Sequence, residues 1–129
     1  MAEKISKVLV ADDDEPILKT TSRIIGKFYP NVEIDSFTDA AKASEAISKN
    51  PENYYSVFIS DIDFNGKPEG LELIAQARKK SEKLYIIASS GRPEENEKKA
   101  IDAGANYFLP KPYSFEKLTG ILDNFLPKK

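Results

Sequence analysis

Val8-Leu9-Val10-Ala11-Asp12-Asp13-Asp14-Glu15-Pro16 joins an apolar run to a run of acids and closes on a proline. An uninterrupted apolar run suits a strand buried on both faces, as in parallel sheets. Pro16 suits the first turn of a helix, where a backbone N–H has no intrahelical partner to lose. The stretch therefore predicts a strand that ends in acids and passes straight into a helix. The same alternation continues outward. Ile17, Leu18, Ile24, Ile25 and Phe28 recur near helical spacing until Pro30-Asn31 breaks the pattern. Val32, Ile34 and Ser36 alternate with Glu33, Asp35 and Phe37, which predicts a second strand with one wetter face, at an edge. The Ala-rich residues 39–49 predict a second helix, stopped by Asn50-Pro51.

Val57-Phe58-Ile59 is the most apolar strand and delivers Asp61 at its C-terminal end. A loop through Asn65-Gly66-Lys67-Pro68 leads to a third helix over about residues 69–80, with Leu71, Ile74 and Ala77 inward. Tyr85-Ile86-Ile87-Ala88 is a fourth strand running into Ser89-Ser90-Gly91. Pro93 opens a fourth helix, and Gly104 stands where a C-cap glycine belongs. Tyr107-Phe108-Leu109 is a short fifth strand, and Pro110, which cannot donate to a ladder, implies that it is an edge strand or ends there. Ser114 can cap a last helix with the apolar stripe Phe115, Leu118, Ile121, Leu122 and Phe125. Five such alternations predict an α/β fold, a parallel sheet with helices on both faces, as one domain over residues 1–129.

Composition narrows the chemistry. The 129 residues contain neither cysteine nor histidine, which removes disulfides, thiolate or imidazole nucleophiles and Cys- or His-bound metals. Acids and bases, 21 against 19, are interspersed, so nothing in the charge argues for nucleic acid or a membrane surface. No apolar run approaches the roughly 20 residues needed to span a bilayer, and the first residues lack the apolar stretch of a signal peptide. A cytoplasmic location is the expectation.

Ligands of such sheets lie beyond the C-terminal strand ends. Four strands end there in polar residues: Asp12-Asp13, Asp61, Ser89-Ser90 and Lys111. Crowded carboxylates raise one another's pKa and oppose folding unless a cation neutralises them. With only oxygen donors, a hard cation such as Mg2+ is favoured. With charge balanced by a metal and a lysine, an aspartate oxygen can attack a phosphoryl group, while a hydroxyl and an ammonium hold its oxygens.

These residues, in this order, resemble the receiver domain of bacterial response regulators, the family that includes the flavodoxin-like chemotaxis regulator. The resemblance runs from Val8 to about Leu126. It implies a five-stranded sheet of order 2-1-3-4-5 and a phosphoacceptor at Asp61. It implies Asp13 as direct ligand of Mg2+ (or Mn2+), Asp12 acting through water, and the Asp63 backbone carbonyl completing the metal site. Ser89 matches the hydroxyl that follows the phosphoryl group. Lys111, with Pro112 and Tyr113, matches a Lys-Pro-aromatic motif whose lysine–proline bond is usually cis. Phe108 matches the aromatic whose ring is buried or exposed as the switch moves. The loop from Asp61 to Gly70 is one residue longer than the family pattern, with Asn65 where a proline is typical, and Asp63 adds a carboxylate beside the acceptor.

The resemblance implies a histidine kinase or phosphotransfer protein as phosphodonor. It also implies a downstream protein docking on the surface of the fourth helix, fifth strand and fifth helix. No nucleic acid or membrane is expected to be bound. No segment after the last helix reads as an output domain, so output is expected from docking, from onward phosphotransfer, or from a domain beyond this sequence. Blander readings exist for single motifs. Asp12 to Glu15 could all be charges at a helix start, or the acidic pair could be Asp13-Asp14. Asp14 and Glu15 are read as helix charges in either case, and Ser90 as a loop hydroxyl serving the backbone. Two other functions share parts of the pattern. Asp61-Ile62-Asp63 has the Asp-x-Asp spacing of haloacid-dehalogenase-type phosphohydrolases, but Phe64-Asn65 departs from that motif and it stands far from the first strand. A receiver-shaped module that is never phosphorylated would lack one of the acids or the lysine, and all are present. A self-phosphorylating and self-dephosphorylating switch, not a turnover enzyme, is the expectation.

Overall fold

A computed structural model describes residues 6–126. Five strands alternate with five helices: β1 (Ser6–Ala11), α1 (Glu15–Phe28), β2 (Val32–Phe37), α2 (Ala40–Lys49), β3 (Val57–Asp61), α3 (Glu69–Lys80), β4 (Tyr85–Ser90), α4 (Pro93–Ala103), β5 (Tyr107–Pro110) and α5 (Phe115–Leu122). The strands form one parallel sheet of order β2-β1-β3-β4-β5, the flavodoxin-like arrangement. Side chains alternate across it. Leu9, Ala11, Phe58, Ile86, Ala88 and Phe108 pack under α2, α3 and α4. Val8, Val10, Val57, Ile59, Ile87 and Leu109 pack under α1 and α5. Each of the larger side chains sealed in this way, Val, Leu, Ile or Phe, contributes roughly 1.5–3 kcal/mol.

Local chemistry sets the helix limits. Asp14 caps α1 by accepting from the Ile17 N–H at 3.2 Å. Asp39, expected as the first residue of the second helix, instead caps it, accepting from Ala41 N–H at 2.7 Å. Ser114 caps α5 through Lys117 N–H at 3.2 Å, and Gly104 closes α4 at φ 123°.

Two expected apolar faces are drawn differently. In α3 the buried positions are Gly70, Leu73, Ile74 and Ala77, with Leu71 only partly covered. The helix is wedged between α2 and α4, so its inward stripe falls on Leu73. The last helix ends at Leu122, and only Leu118 and Leu122 of its stripe are buried. Phe115 and Phe125 remain nearly half exposed and stack on Phe28 and Tyr85.

At the sheet end where strands begin, Arg78 of α3 ties three elements together. Its guanidinium donates to the carbonyls of Gly104 (3.0 Å), Ser81 (3.0 Å) and Glu82 (2.7 Å), and to Asn106 Oδ1 (2.6 Å). Asn106 in turn accepts from Ile86 N–H and donates its own N–H to the Ile86 carbonyl, both at 2.8 Å. At the opposite end, Gly70 lets α3 start directly against β3, its N–H donating to the Ile62 carbonyl at 2.8 Å. A Cβ there would overlap the Asp61 carbonyl oxygen and approach the Ile62 oxygen to 2.7 Å. Gly70→Ala is expected to destabilise the fold by about 1–3 kcal/mol, read as a lower urea midpoint at unchanged slope.

Candidate functional site

The strand order decides which side chains meet. β1 and β3 are neighbours, so Asp12, just past β1, comes beside Asp61 at the end of β3. Ser89 of β4 is in register with Asp61. Lys111 follows β5 and is joined to the sheet end by its N–H to the Ser90 carbonyl, 2.9 Å. Its Nζ lies 3.0 Å from Asp12 Oδ2 and 3.3 Å from Asp61 Oδ1. One carboxylate oxygen each from Asp12, Asp13 and Asp61 lie within 4.8 Å of one another. Asp12 and Asp61 are buried, at 4% and 5% exposure, while Asp13 is open to solvent. Asp12 Oδ1 accepts from Asp14 N–H at 2.9 Å, and Asp13 Oδ2 accepts from Asn65 N–H at 2.9 Å.

Burial pushes the Asp61 carboxyl up to about 7, the charge of Asp12 adds to the rise, and Lys111 pulls against both. Burial also works against the ammonium of Lys111, but the carboxylates of Asp12 and Asp61 outweigh it and hold that amine above the ordinary lysine value. Three carboxylates face one ammonium, and the excess negative charge is what a cation would neutralise. The donors are all oxygens, the set that hard divalent ions prefer. Ser89 Oγ is buried with no hydrogen-bond partner. A sealed, unpaired hydroxyl is costly in a folded protein, and here it sits one strand from Asp61. Acid cluster and orphan hydroxyl together fit a site for Mg2+ and an oxyanion.

The other expected residues fall into place around this pocket. Asp14 is a helix cap and Glu15 pairs with Lys19 at 3.0 Å, so both are helix charges. Ser90 Oγ accepts from Arg92 N–H at 3.0 Å, as a hydroxyl serving the backbone does. The Lys111–Pro112 bond is cis. Phe108 is buried in the layer under α2–α4. Tyr113 is joined to Thr21 through their hydroxyls at 2.8 Å, tying the segment after Lys111 to α1.

The Asp63 carboxylate, expected beside the acceptor, is placed elsewhere, and three groups around the site, Arg92, Asn96 and the Asn65 N–H, were not singled out from the sequence. The Asp63 carboxylate turns toward α4, taking Arg92 Nη2 at 2.9 Å and Asn96 Nδ2 at 3.3 Å. Asn96, buried, also donates to Ser90 Oγ at 2.8 Å. No motif marks Arg92 or Asn96; only their nearness to Ser89 in the chain could have drawn notice. The backbone N–H of Asn65 is the third, and the Asn-Gly pair was its available signal.

A sequence model of the response regulator receiver domain matches residues 8–123. The chain belongs to that family. Among relatives, the receiver is 29% identical over 112 residues to the regulatory protein VanRB of Enterococcus faecalis, which covers 87% of this chain and 48% of the relative. The chain thus spans about half the length of such curated relatives. Among solved structures, a CheY-like receiver domain protein of Methanospirillum hungatei superposes with TM-score 0.82 at 23% identity, covering 94% of this chain and 93% of the other. The chemotaxis regulator CheY4 of Vibrio cholerae superposes with TM-score 0.79 at 24% identity, covering 95% and 100%. The receiver is accordingly a signalling module of two-component systems, a family that works with histidine kinases or phosphotransfer proteins and holds Mg2+ in an acidic pocket. Among the described residues, no helix is long and apolar enough to cross a membrane.

The raised Asp61 value fixes the sign of a pH effect. The native state keeps the Asp61 proton up to about 7, whereas an unfolded chain releases it near 3.9. Metal-free stability attributable to this group therefore falls as pH rises between those values. In chelator, Asp61→Asn is expected to be more stable than the wild type above pH 7, on the order of 1–3 kcal/mol. The gap should close towards pH 4; urea titrations across that range check it.

Proposed function

We propose that this receiver takes a phosphoryl group from the phosphohistidine of a histidine kinase or phosphotransfer protein onto Asp61, in a reaction dependent on Mg2+ (or Mn2+). The observation that carries this reading is the ammonium of Lys111 between Asp12 and Asp61, beside the unpartnered hydroxyl of Ser89. An Asp61 carboxylate oxygen attacks phosphorus, and the donor P–N bond breaks with its electron pair returning to the imidazole. Asp13 and Asp61, the carbonyl of Asp63 and, through water, Asp12 are the residues that would hold the metal. When bound, the metal supplies positive charge against the phosphoryl oxygens. Lys111 receives one of those oxygens, and Ser89 Oγ gains an acceptor it otherwise lacks.

Once Asp61 carries phosphate, Ser89 is drawn towards it. Phe108 packs behind the displaced segment, and the surface of α4, β5 and α5 changes for a downstream protein. Local charge thus biases a two-state element. The reading treats residues 1–129 as one receiver unit, working in the cytoplasm without binding nucleic acid or membrane. Group transfer occurs once per switching cycle, so sustained turnover of phosphomonoesters is not expected.

Mass spectrometry after incubation with acetyl phosphate and Mg2+ tests the reading. One added phosphoryl group is expected in the wild type and none in Asp61→Asn; an unmodified wild type would remove the proposal. Lys111→Met should slow uptake by about 10²–10³-fold, the loss typical of one charge-stabilising donor.

A further inference from the structure

Between β3 and α3 the chain makes a miniature hairpin. Phe64 and Lys67 exchange both backbone hydrogen bonds, at 2.8 and 3.0 Å. The two residues they enclose have positive φ, 54° at Asn65 and 77° at Gly66. That is the two-residue turn for which Asn-Gly is the preferred pair, because asparagine tolerates and glycine freely adopts the left-handed region. The turn is anchored on both sides. Phe64 is sealed in the core, Asp63 is tied to Arg92 and Asn96, and Gly70 N–H holds the Ile62 carbonyl. The Asn65 N–H therefore projects from a fixed frame, and it donates to Asp13 Oδ2 at 2.9 Å.

Asp13 needs such a partner more than its neighbours do. Asp12 and Asp61 are buried and share the Lys111 ammonium. Asp13 is exposed, and a surface aspartate would otherwise sample several rotamers in water. A hydrogen bond from a rigid amide selects one orientation of the carboxylate, in the way that groups behind a metal ligand set its direction.

We infer that the Asn65–Gly66 turn is a positioning element, whose Asn65 amide pre-sets the Asp13 carboxylate for binding a divalent cation. The inference rests on the proposed function for the cation's identity. Gly66 is the point at which to test it, since a Cβ there would meet nothing within 4 Å and acts only through the backbone angle. Titration calorimetry of the full chain with Mg2+ is expected to give affinities falling in the order wild type, Gly66→Ala, Gly66→Val, with a loss of about tenfold for the last. Asn65→Gly, which keeps the turn and the amide, is expected to bind Mg2+ nearly as the wild type does. Because Asp13→Asn removes a carboxylate proposed to hold the ion, the Gly66→Val comparison is also made with Mn2+ by water-proton relaxation in both the wild-type and the Asp13→Asn backgrounds. In the Asp13→Asn background Gly66→Val should add little, because both changes act through one carboxylate.

Circular dichroism and urea midpoints monitor folding of each variant. Folded Gly66 variants that bind Mg2+ as the wild type does would overturn the positioning role alone. Equal losses with and without the Asp13 carboxylate would also overturn it. A wild type that binds no Mg2+ would remove the phospho-acceptor reading beneath it, so the two failures are distinct. If Gly66→Val does not fold, Gly66→Ala decides by the same criteria.

Discussion

Two carboxylates, Asp12 and Asp61, are held almost out of water at the tips of neighbouring strands, and the rest of this sheet end answers to their repulsion. Strands in a sheet stand roughly 4.8 Å apart, so residues at adjacent tips cannot avoid each other. Neither acid can swing away: Asp61 lies between the buried Ser60 and Ile62, and Asp12 follows the buried Ala11 and accepts from the Asp14 N–H at 2.9 Å. Lys111 is the countercharge. It stands just past β5, two strands from β3, a span of roughly 10 Å that needs a side chain of lysine length. With Lys111 in place the site remains short of positive charge, and Asp61 keeps its proton to higher pH than an ordinary aspartate. The deficit is a stored preference for cations, written into the strand order.

Much of this could be read from residue order. Continuous apolar runs at Val8–Ala11 and Val57–Ile59 separate central strands from the alternating edge strand at residues 32–37, because burial on both faces leaves no room for polar positions. Acids directly after such runs are carried to one end of the sheet by parallel pairing alone. Asp12, Asp13, Asp61 and Lys111 therefore converge as their positions require.

What could not be read depends on reach and angle. The Asp63 side chain, two residues past Asp61, faces α4 because the chain turns at the strand end, and no periodicity encodes that turn. Arg92 and Asn96 matter only because Asp63 arrives beside them. Leu71 and Leu73 are equally apolar; the wedge formed by α2 and α4 decides which is covered. The amide that holds Asp13 belongs to the backbone, so residue identity gives only the turn around it.

The guanidinium of Arg78 has a mechanical meaning. It grips the carbonyl just beyond α4, the two carbonyls after α3, and the asparagine that opens the way into β5, all at the end of the sheet remote from Asp61. The near end of α4 is held by the buried Asn96, which donates to Ser90 Oγ and to the Asp63 carboxylate, and by the partly solvated pair of Asp63 and Arg92. The first turn of α4 is thereby coupled to the strand ends that flank Asp61, while its last turn is coupled to Arg78 at the opposite end of the sheet.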